Sequence, residues 1–264
     1  MAPTYTEFLK DNVRLGARRL KLVVDAGNGT GGVVAVPLYR ALGFEVDPIY
    51  CEMDGRFPNH HPDPTDEKNL ADLKARVLAT GADLGIAFDG DADRLGIVDE
   101  RGEVVWGDRL MIVLARALLR EAPGAAVLGE VKCSQTLYDD IERHGGKAIL
   151  WKTGHSFIKA KLKESGALLA GEMSGHIFYA HRYYGFDDAL YASLRLLEVL
   201  TADARPLSQH FDGVPEVFAT PEIRVECADE KKFDVVLRVT ERFKKTNRVI
   251  DIDGVRVEWE DGWG

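Results

Sequence analysis

Residues 84–98 constrain the fold of this chain more than any other stretch, because two apolar runs flank a loop that carries three alternate aspartates. Apolar runs of this length, bounded by turn residues, are typical of buried strands. Asp89, Asp91 and Asp93 lie two residues apart, and on extended backbone this spacing points all three carboxylates to one side. Like charges held together repel one another, so the loop predicts a bound hard cation such as Mg²⁺ or Ca²⁺. Arg94 follows directly and offers a cationic fork for a phosphate or a carboxylate.

Three other interpretations of this loop fit less well. A solvated acidic turn rarely places acids at alternate positions between runs this apolar. An EF-hand would take ligands from Asp89, Asp91, Asp93 and Glu100, but its sixth position requires glycine and here is Arg94. A haloacid-dehalogenase-like phosphatase has Thr or Val two residues after the second Asp of its Asp-x-Asp motif, where this chain has Asp93.

Five further segments accompany the aspartate loop. They are Val23-Val-Asp-Ala-Gly-Asn-Gly29, Phe57-Pro-Asn-His-His-Pro-Asp-Pro64, Val131-Lys-Cys133, Lys152-Thr-Gly-His155 and Gly171-Glu-Met-Ser-Gly-His176. Together with Asp-Gly-Asp-x-Asp-Arg between two apolar strands, they resemble segments of the α-D-phosphohexomutases, the phosphomannomutase/phosphoglucomutase family, and in the same order. The resemblance covers nearly the whole chain. Within the family, the sequence most resembles the bacterial enzymes that act on both mannose and glucose phosphates.

The resemblance implies an enzyme that moves a phosphoryl group reversibly between the 1- and 6-positions of a hexose phosphate. In the family, a phosphoserine held on Mg²⁺ donates its phosphoryl group, and a bisphosphate intermediate turns over in the cleft. By resemblance, the site residues are the Mg²⁺ ligands Asp89, Asp91 and Asp93, the sugar-binding Glu172, Ser174 and His176, and the catalytic Arg94, Lys132 and His155. The expected substrates are glucose or mannose 1- and 6-phosphates.

The residue types suit these roles. Glu172 and Ser174 lie two apart, and a carboxylate beside a hydroxyl suits two neighbouring sugar hydroxyls. The alternative for Glu172 is a buried carboxylate in a capped turn. Lys132 ends a predicted strand, and His155 lies in the first turn of a predicted helix, where the helix dipole favours anions; taken alone, either residue is more often an ordinary surface residue. Residues 182–184, Arg-Tyr-Tyr, are expected to add to the rim of the cleft.

Composition bounds the possible partners. The chain has 264 residues with 34 basic and 43 acidic side chains, a net charge of −9, which argues against a nucleic-acid-binding face. The three cysteines are far apart and lack metal-site spacing, so we expect reduced thiols in a cytoplasmic protein. The start of the chain lacks a signal-peptide pattern, and the best apolar run, 110–119, is interrupted by Arg116, so no membrane partner is expected.

The alternation of apolar strands and helices predicts an α/β protein: two consecutive three-layer α/β domains of similar topology, then an incomplete C-terminal α+β domain. Ser134 and Thr153 are predicted helix caps. Residues 27–32 predict a tight, closely packed turn, and the adjacent His60 and His61 are expected to be structural. A strand is predicted over 217–225, and Asp253-Gly254 favours a type I′ hairpin turn.

The predicted domains are an entry helix (1–18), a metal-binding domain (19–102), a sugar-binding domain (103–214) and a truncated C-terminal domain (215–264). The sequence departs from the family at two points. No serine has the Thr-Ala-Ser-His-Asn-Pro setting of the family's phosphoserine, and the Arg-x-Ser-Asn-Thr type phosphate loop is absent. We therefore expect a fragment that is inactive alone, with faces exposed by truncation that allow self-association. The alternatives are a non-catalytic module that binds metal and sugar phosphate, or a Mg²⁺-dependent phosphatase with Asp89 or Asp91 as nucleophile.

Overall fold

A computed structural model describes residues 2–218, 220, 223 and 225–264. Its α-helices are α1 (Ala2–Asn12), α2 (Gly31–Ala41), α3 (Ala71–Thr80), α4 (Gly107–Glu121), α5 (Gln135–Arg143), α6 (His155–Ser165), α7 (Ala189–Ala202) and α8 (Asp229–Phe243). Its strands are β1 (Lys21–Asp25), β2 (Glu45–Ile49), β3 (Leu84–Phe88), β4 (Leu95–Asp99), β5 (Val104–Val105), β6 (Ala126–Glu130), β7 (Lys147–Trp151), β8 (Leu169–Gly171), β9 (Ile177–Tyr179), β10 (Arg248–Ile250) and β11 (Arg256–Glu258). Two short 3₁₀ helices cover Glu67–Leu70 and Leu207–Phe211.

Two mixed sheets repeat one topology. The first has the order β2-β1-β3-β4-β5, with β1 parallel to β2 and β3, and β4 antiparallel to β3. The second has the order β7-β6-β8-β9, with β6 parallel to β7 and β8, and β9 antiparallel to β8. The similar topology expected from the order of elements is therefore present, although the two sheets share no repeated sequence.

Helices cover both faces of each sheet, as the alternation of side chains along the central strands shows. In β1, Leu22 and Val24 belong to the core cluster that also contains residues of α1, α2, α4 and α7, whereas Val23 belongs to the cluster with α3 on the opposite face. In β6, Val127 joins the same large core as Leu22, whereas Leu128 packs against α6. Apolar residues on both faces of a strand are characteristic of α/β sheets that are covered on both sides. One continuous core therefore joins the two sheets.

The C-terminal part, α8 with the β10–β11 hairpin, is attached to the second sheet by a buried arginine. Arg256 Nη1 donates to the carbonyl oxygens of Val131 (2.6 Å) and Cys133 (2.7 Å), at the end of β6. The Asp253 carboxylate accepts from the backbone N–H of Thr153 at 2.9 Å. The hairpin therefore contacts the loops that follow β6 and β7.

Several local expectations differ from the structure. Ser134 does cap α5, accepting from the Thr136 N–H at 3.2 Å, but α6 begins at His155 after Gly154 and has no side-chain cap. The hairpin loop covers five residues, 251–255, and only Gly254 has a positive φ, so it is not a type I′ turn. Within the predicted strand 217–225, residues 219, 221, 222 and 224 lie outside the described residues, and the others are not in a strand.

Candidate functional site

Three loops and the first residue of α6 carry the predicted site residues, and each of them lies after a strand. The aspartate loop follows β3, residues 131–133 follow β6, residues 152–154 follow β7, and residues 172–176 follow β8. In α/β sheets, ligands bind outside the carboxyl ends of the parallel strands. The repeated topology places these loops at the corresponding edges of the two sheets.

The three aspartates of the loop converge. One carboxylate oxygen from each of Asp89, Asp91 and Asp93 lies within 4.8 Å of the others. The backbone there is a turn rather than extended chain, since Ala92 has φ +65°. Asp89 is 3% exposed, and its Oδ1 accepts from the backbone N–H groups of Asp93 (3.0 Å) and Arg94 (3.1 Å). The convergence was predicted, but the turn produces it and not the alternation of an extended strand.

The electrostatics of this loop suit a cation. Burial, with smaller contributions from the neighbouring Asp89 and Asp91, raises the pKa of Asp93 to about 6, although His176 opposes the shift. The donors are all carboxylate oxygens, the ligands that hard cations such as Mg²⁺ take. A bound cation would relieve the repulsion among the three carboxylates, so the residues present fit such an ion.

Arg94 does not project freely towards a ligand. Its Nε donates to Asp89 Oδ2 at 2.8 Å, and its Nη1 donates to Asp63 Oδ1 at 2.9 Å. The guanidinium therefore joins the aspartate loop to the loop that carries Asp63. Arg94 fixes the orientation of a predicted metal ligand, with a quarter of its side chain still exposed.

The 172–176 loop is held by two buried carboxylates. Glu172 is 2% exposed, and its Oε1 accepts from the Gly154 N–H at 2.6 Å. Glu130, at the end of β6, is fully buried and accepts from the Met173 N–H at 2.8 Å. Burial raises the pKa of Glu172, and the nearby Glu130 adds to this, whereas the Gly154 N–H and the charges of His176 and Lys132 oppose it. The buried arrangement that was the structural alternative for Glu172 is thus present, while Ser174 is half-exposed beside it.

The aspartate loop and the 172–176 loop are bonded directly to each other. The Leu95 N–H donates to the Gly175 carbonyl oxygen at 3.0 Å, and Arg94 and His176 form an antiparallel bridge. Gly175 has φ +93°, and a Cβ there would lie 2.5 Å from the Leu95 carbonyl oxygen. Only glycine fits this approach, which brings the predicted metal and sugar residues into one cleft.

Three basic side chains of this cleft lie around the carboxylate of Asp187. Its carboxylate lies 3.4 Å from His176 Nδ1, 3.8 Å from His155 Nδ1 and 3.0 Å from Lys159 Nζ. His176 Nδ1 is also 3.6 Å from Asp93 Oδ1. Partial burial of Asp187 opposes its ionisation, but the hydrogen bonds from His176 and Lys159 hold its pKa well below the usual range.

Lys132 and the predicted rim residues have different surroundings. Lys132 is half-exposed, with Nζ 4.0 Å from Glu130 Oε2. Arg182 is not on the rim, because its guanidinium contacts Glu198 and the Asn12 carbonyl oxygen. Tyr183 stacks on Tyr191 at 3.9 Å between ring centroids. Tyr184 alone of these three residues is exposed.

A cavity of about 320 Å³ opens beside the aspartate loop. It is lined by Asp91, Asp93 and Asp187 together with residues of α1 and α2. A larger cavity of about 390 Å³ is lined by Arg14, Glu121, Arg195 and their neighbours and contains none of the predicted site residues. The cavity beside the aspartate loop is the one relevant to the site.

Sequence reasoning missed three groups that organise this cleft: Asp63, Glu130 and Asp187. Each is a single acidic residue within or directly beside a segment in which the sequence analysis singled out other residues. The one available signal was position, since Glu130 directly precedes the Val131-Lys-Cys133 segment and Asp187 follows the predicted rim residues.

Comparisons with known proteins agree with this architecture. Residues 3–102 match the family model of phosphoglucomutase/phosphomannomutase alpha/beta/alpha domain II, and residues 106–218 match that of alpha/beta/alpha domain III. The chain belongs to the phosphoglucomutase/phosphomannomutase family. The fold and the family expected from the sequence are thus confirmed.

Relatives in this family extend well beyond the matched region. A phosphomannomutase/phosphoglucomutase of Pseudomonas putida is 50% identical over 262 residues, which are 98% of this chain and 56% of that protein. The Pseudomonas aeruginosa enzyme of the same name is 46% identical over 264 residues, 99% of this chain and 57% of that protein. The chain therefore spans slightly more than half the length of these relatives.

Solved structures of the family have the same fold. A phosphoglucomutase/phosphomannomutase family protein from Burkholderia thailandensis aligns with a TM-score of 0.91 and 45% identity, over 99% of this chain and 56% of that one. An Aspergillus fumigatus N-acetylphosphoglucosamine mutase, solved with GlcNAc-6P and magnesium, aligns with a TM-score of 0.65 and 15% identity, over 96% of this chain and 64% of that one, which shows a shared fold. Among the described helices, none has the length and apolar character needed to cross a membrane.

Proposed function

We propose that this chain carries the metal-binding and sugar-binding parts of a phosphohexomutase that interconverts hexose 1-phosphates and hexose 6-phosphates. The observation that carries the proposal is the direct contact of two loops in a member of this family. The converging carboxylates of Asp89, Asp91 and Asp93 lie against the 172–176 loop through the Leu95–Gly175 hydrogen bond. Glucose and mannose phosphates are the proposed substrates, since relatives at 46–50% identity are named for both.

In this proposal, Asp89, Asp91 and Asp93 hold Mg²⁺, and Arg94 keeps Asp89 in its orientation. When bound, Mg²⁺ supplies the positive charge that stabilises a transferring phosphoryl group. The A. fumigatus mutase was solved in complex with magnesium, which is in keeping with this choice of ion.

The groups around the cleft have separate proposed roles. Ser174 is half-exposed on the 172–176 loop, the side chain of His176 keeps 15% of its surface exposed, and both are proposed to contact sugar hydroxyls. Glu172 fixes the start of α6 through the Gly154 N–H. Lys132 and His155 are well-exposed basic side chains of the cleft, 49% and 55% exposed, and are the proposed phosphate contacts.

The phosphoryl donor has no candidate in this sequence. Because no serine has the family's phosphoserine setting, we expect that these 264 residues alone do not complete a catalytic cycle. A coupled mutase assay tests this, with glucose 1-phosphate or mannose 1-phosphate, Mg²⁺ and a trace of hexose bisphosphate. We expect no turnover by this chain, and turnover by a version extended at both ends that is lost on Asp91→Asn or on removal of Mg²⁺. Turnover by the 264 residues, lost in Asp91→Asn, would contradict the requirement for further segments.

The phosphatase alternative is less well supported by the geometry. Two backbone N–H groups and Arg94 hold both oxygens of Asp89 in place, an arrangement that suits a fixed metal ligand better than a nucleophile that must move towards phosphorus. Hydrolysis of an aryl phosphate that is lost on Asp91→Asn would favour this alternative.

A further inference from the structure

A second group of possible metal ligands lies beside the aspartate loop. It consists of Asp93, His176 and Asp187, and one donor atom from each lies within 4.8 Å of the others. All three side chains are half-buried, and they come from three different segments: the aspartate loop, the 172–176 loop and the residues before α7. This group differs from the aspartate loop because it contains a nitrogen donor.

Two of the three donor distances in this group are close to those of a tetrahedral metal site. His176 Nδ1 is 3.4 Å from Asp187 Oδ2 and 3.6 Å from Asp93 Oδ1. A tetrahedral Zn²⁺ site with bonds of about 2.0–2.1 Å holds neighbouring donors about 3.3–3.4 Å apart. The Asp93 and Asp187 donor oxygens lie within 4.8 Å of each other, so a closer approach of these two carboxylates would place all three donors around one ion.

The donor atoms are available for a cation. His176 Nδ1 is buried and, among the described residues, has no hydrogen-bond partner of acceptable geometry, although it faces both carboxylates. A buried polar atom without a partner is rare and calls for a ligand or another explanation. Lys159 contacts Asp187 through Oδ1, which leaves Oδ2 for the ion. His155 Nδ1 lies 3.8 Å from the same Oδ2 and is a further nearby nitrogen.

We propose that Asp93, His176 and Asp187 form a binding site for a borderline divalent cation, such as Zn²⁺ or Co²⁺, with a fourth position open to water or an anion. One imidazole and two carboxylates suit these ions rather than Mg²⁺ or Ca²⁺, which take oxygen ligands. The site goes beyond the proposed function and needs no mutase activity. Because Asp93 belongs to both groups, occupancy of one site changes the affinity of the other.

Titration of the purified chain with Zn²⁺ by calorimetry, and with Co²⁺ by visible absorption, tests the proposal. The starting protein is Asp91→Asn, which weakens the all-oxygen loop without touching the second group. The substitutions His176→Asn and Asp187→Asn are each introduced into this Asp91→Asn protein. The matched control is His144→Asn, because the exposed His144 lies 3.2 Å from the buried Asp140 in a histidine–carboxylate pair elsewhere. Circular dichroism of each variant confirms that it is folded.

We expect Asp91→Asn to bind one Co²⁺ with the intense visible absorption of a four-coordinate ion, and His144→Asn to leave this unchanged. His176→Asn and Asp187→Asn should each weaken binding more than about tenfold, since loss of even outer-shell partners costs about 10–100-fold in metal affinity. The proposal is overturned if either variant binds as tightly as its parent, if Asp91→Asn itself abolishes binding, or if Co²⁺ shows only the weak spectrum of an octahedral all-oxygen site.

Discussion

Single buried carboxylates set the shape of the cleft. Glu130 accepts from the Met173 N–H, and its second oxygen is buried without a hydrogen bond among the described residues, 4.0 Å from Lys132 Nζ. One side chain thus fixes the backbone between Glu172 and Ser174 and sets the charge around Lys132. This makes Glu130 a positioning residue for the 172–176 loop.

Glu130→Ala should loosen this loop. A hydrogen bond to a charged group contributes about 1.5–3 kcal/mol, so its loss should accelerate amide hydrogen exchange at Met173 by about tenfold or more. Glu130→Gln keeps an oxygen acceptor and should show a smaller effect. Equal exchange rates at Met173 in Glu130→Ala and in the unchanged chain would show that Glu130 does not hold the loop.

A histidine–aspartate pair should make stability depend on pH. His60 Nε2 lies 3.1 Å from Asp25 Oδ2, and its hydrogen bond to this carboxylate raises the His60 pKa above the usual value, although partial burial opposes the shift. A raised pKa means that the pair stabilises the fold fully below about pH 6.5 and loses this contribution as the pH rises through the folded-state pKa.

His60→Asn should therefore lower the free energy of unfolding more at about pH 6 than at about pH 8.5. Urea unfolding at several pH values measures this difference, and His61→Asn is the control, because His61 is exposed beside it. A loss in His60→Asn that does not change with pH would indicate a packing role without an ion pair.

At the scale of elements, α7 and the chain after α1 are joined by buried charges. Glu198 on α7 lies 2.8 Å from Arg195 Nε and 2.6 Å from Arg182 Nη2, and it also accepts from the Arg14 N–H. Arg195 is only 2% exposed. Removing one member of such a network leaves a buried charge without compensation.

Glu198→Ala should therefore destabilise the chain by about 3–5 kcal/mol, measured by urea unfolding. Asp203→Ala is the matched control because it breaks an exposed pair with Arg205 at 2.6 Å, and it should cost less than about 1 kcal/mol. If the two variants lose similar amounts of unfolding free energy, the Glu198 network does not stabilise the contact of α7 with the preceding chain.

The order and type of the elements could be predicted from the sequence because period and turn residues are local signals. Single hydrogen bonds between distant parts of the chain were harder to predict from the sequence. Thr153 was expected to cap α6, but its own N–H binds Asp253, a hundred residues away. The pairing of Asp93, His176 and Asp187 likewise depends on contacts between two sheets, which no local pattern encodes. The convergence of Asp89, Asp91 and Asp93 was predictable because the three carboxylates lie within five residues.

At the scale of the whole molecule, one core joins both sheets and holds their loops in contact. The core includes Leu22 of the first sheet, Val127 of the second, and much of α4 and α7. The relative position of the aspartate loop and the 172–176 loop is therefore set by packing as well as by the Leu95–Gly175 hydrogen bond. The proposed function needs the aspartate loop and the 172–176 loop in one fixed relation, and this packing supports that proposal.

The most direct test of this account is a chimera in which this chain replaces the matching segment of a longer relative. These residues would replace the matching 262-residue segment of the Pseudomonas putida protein, and the chimera would be assayed for conversion of glucose 1-phosphate and mannose 1-phosphate. The account predicts Mg²⁺-dependent turnover that is lost on Asp91→Asn. A folded chimera with no turnover, beside an active parent, would contradict the claim that this chain holds the metal and sugar sites of a phosphohexomutase.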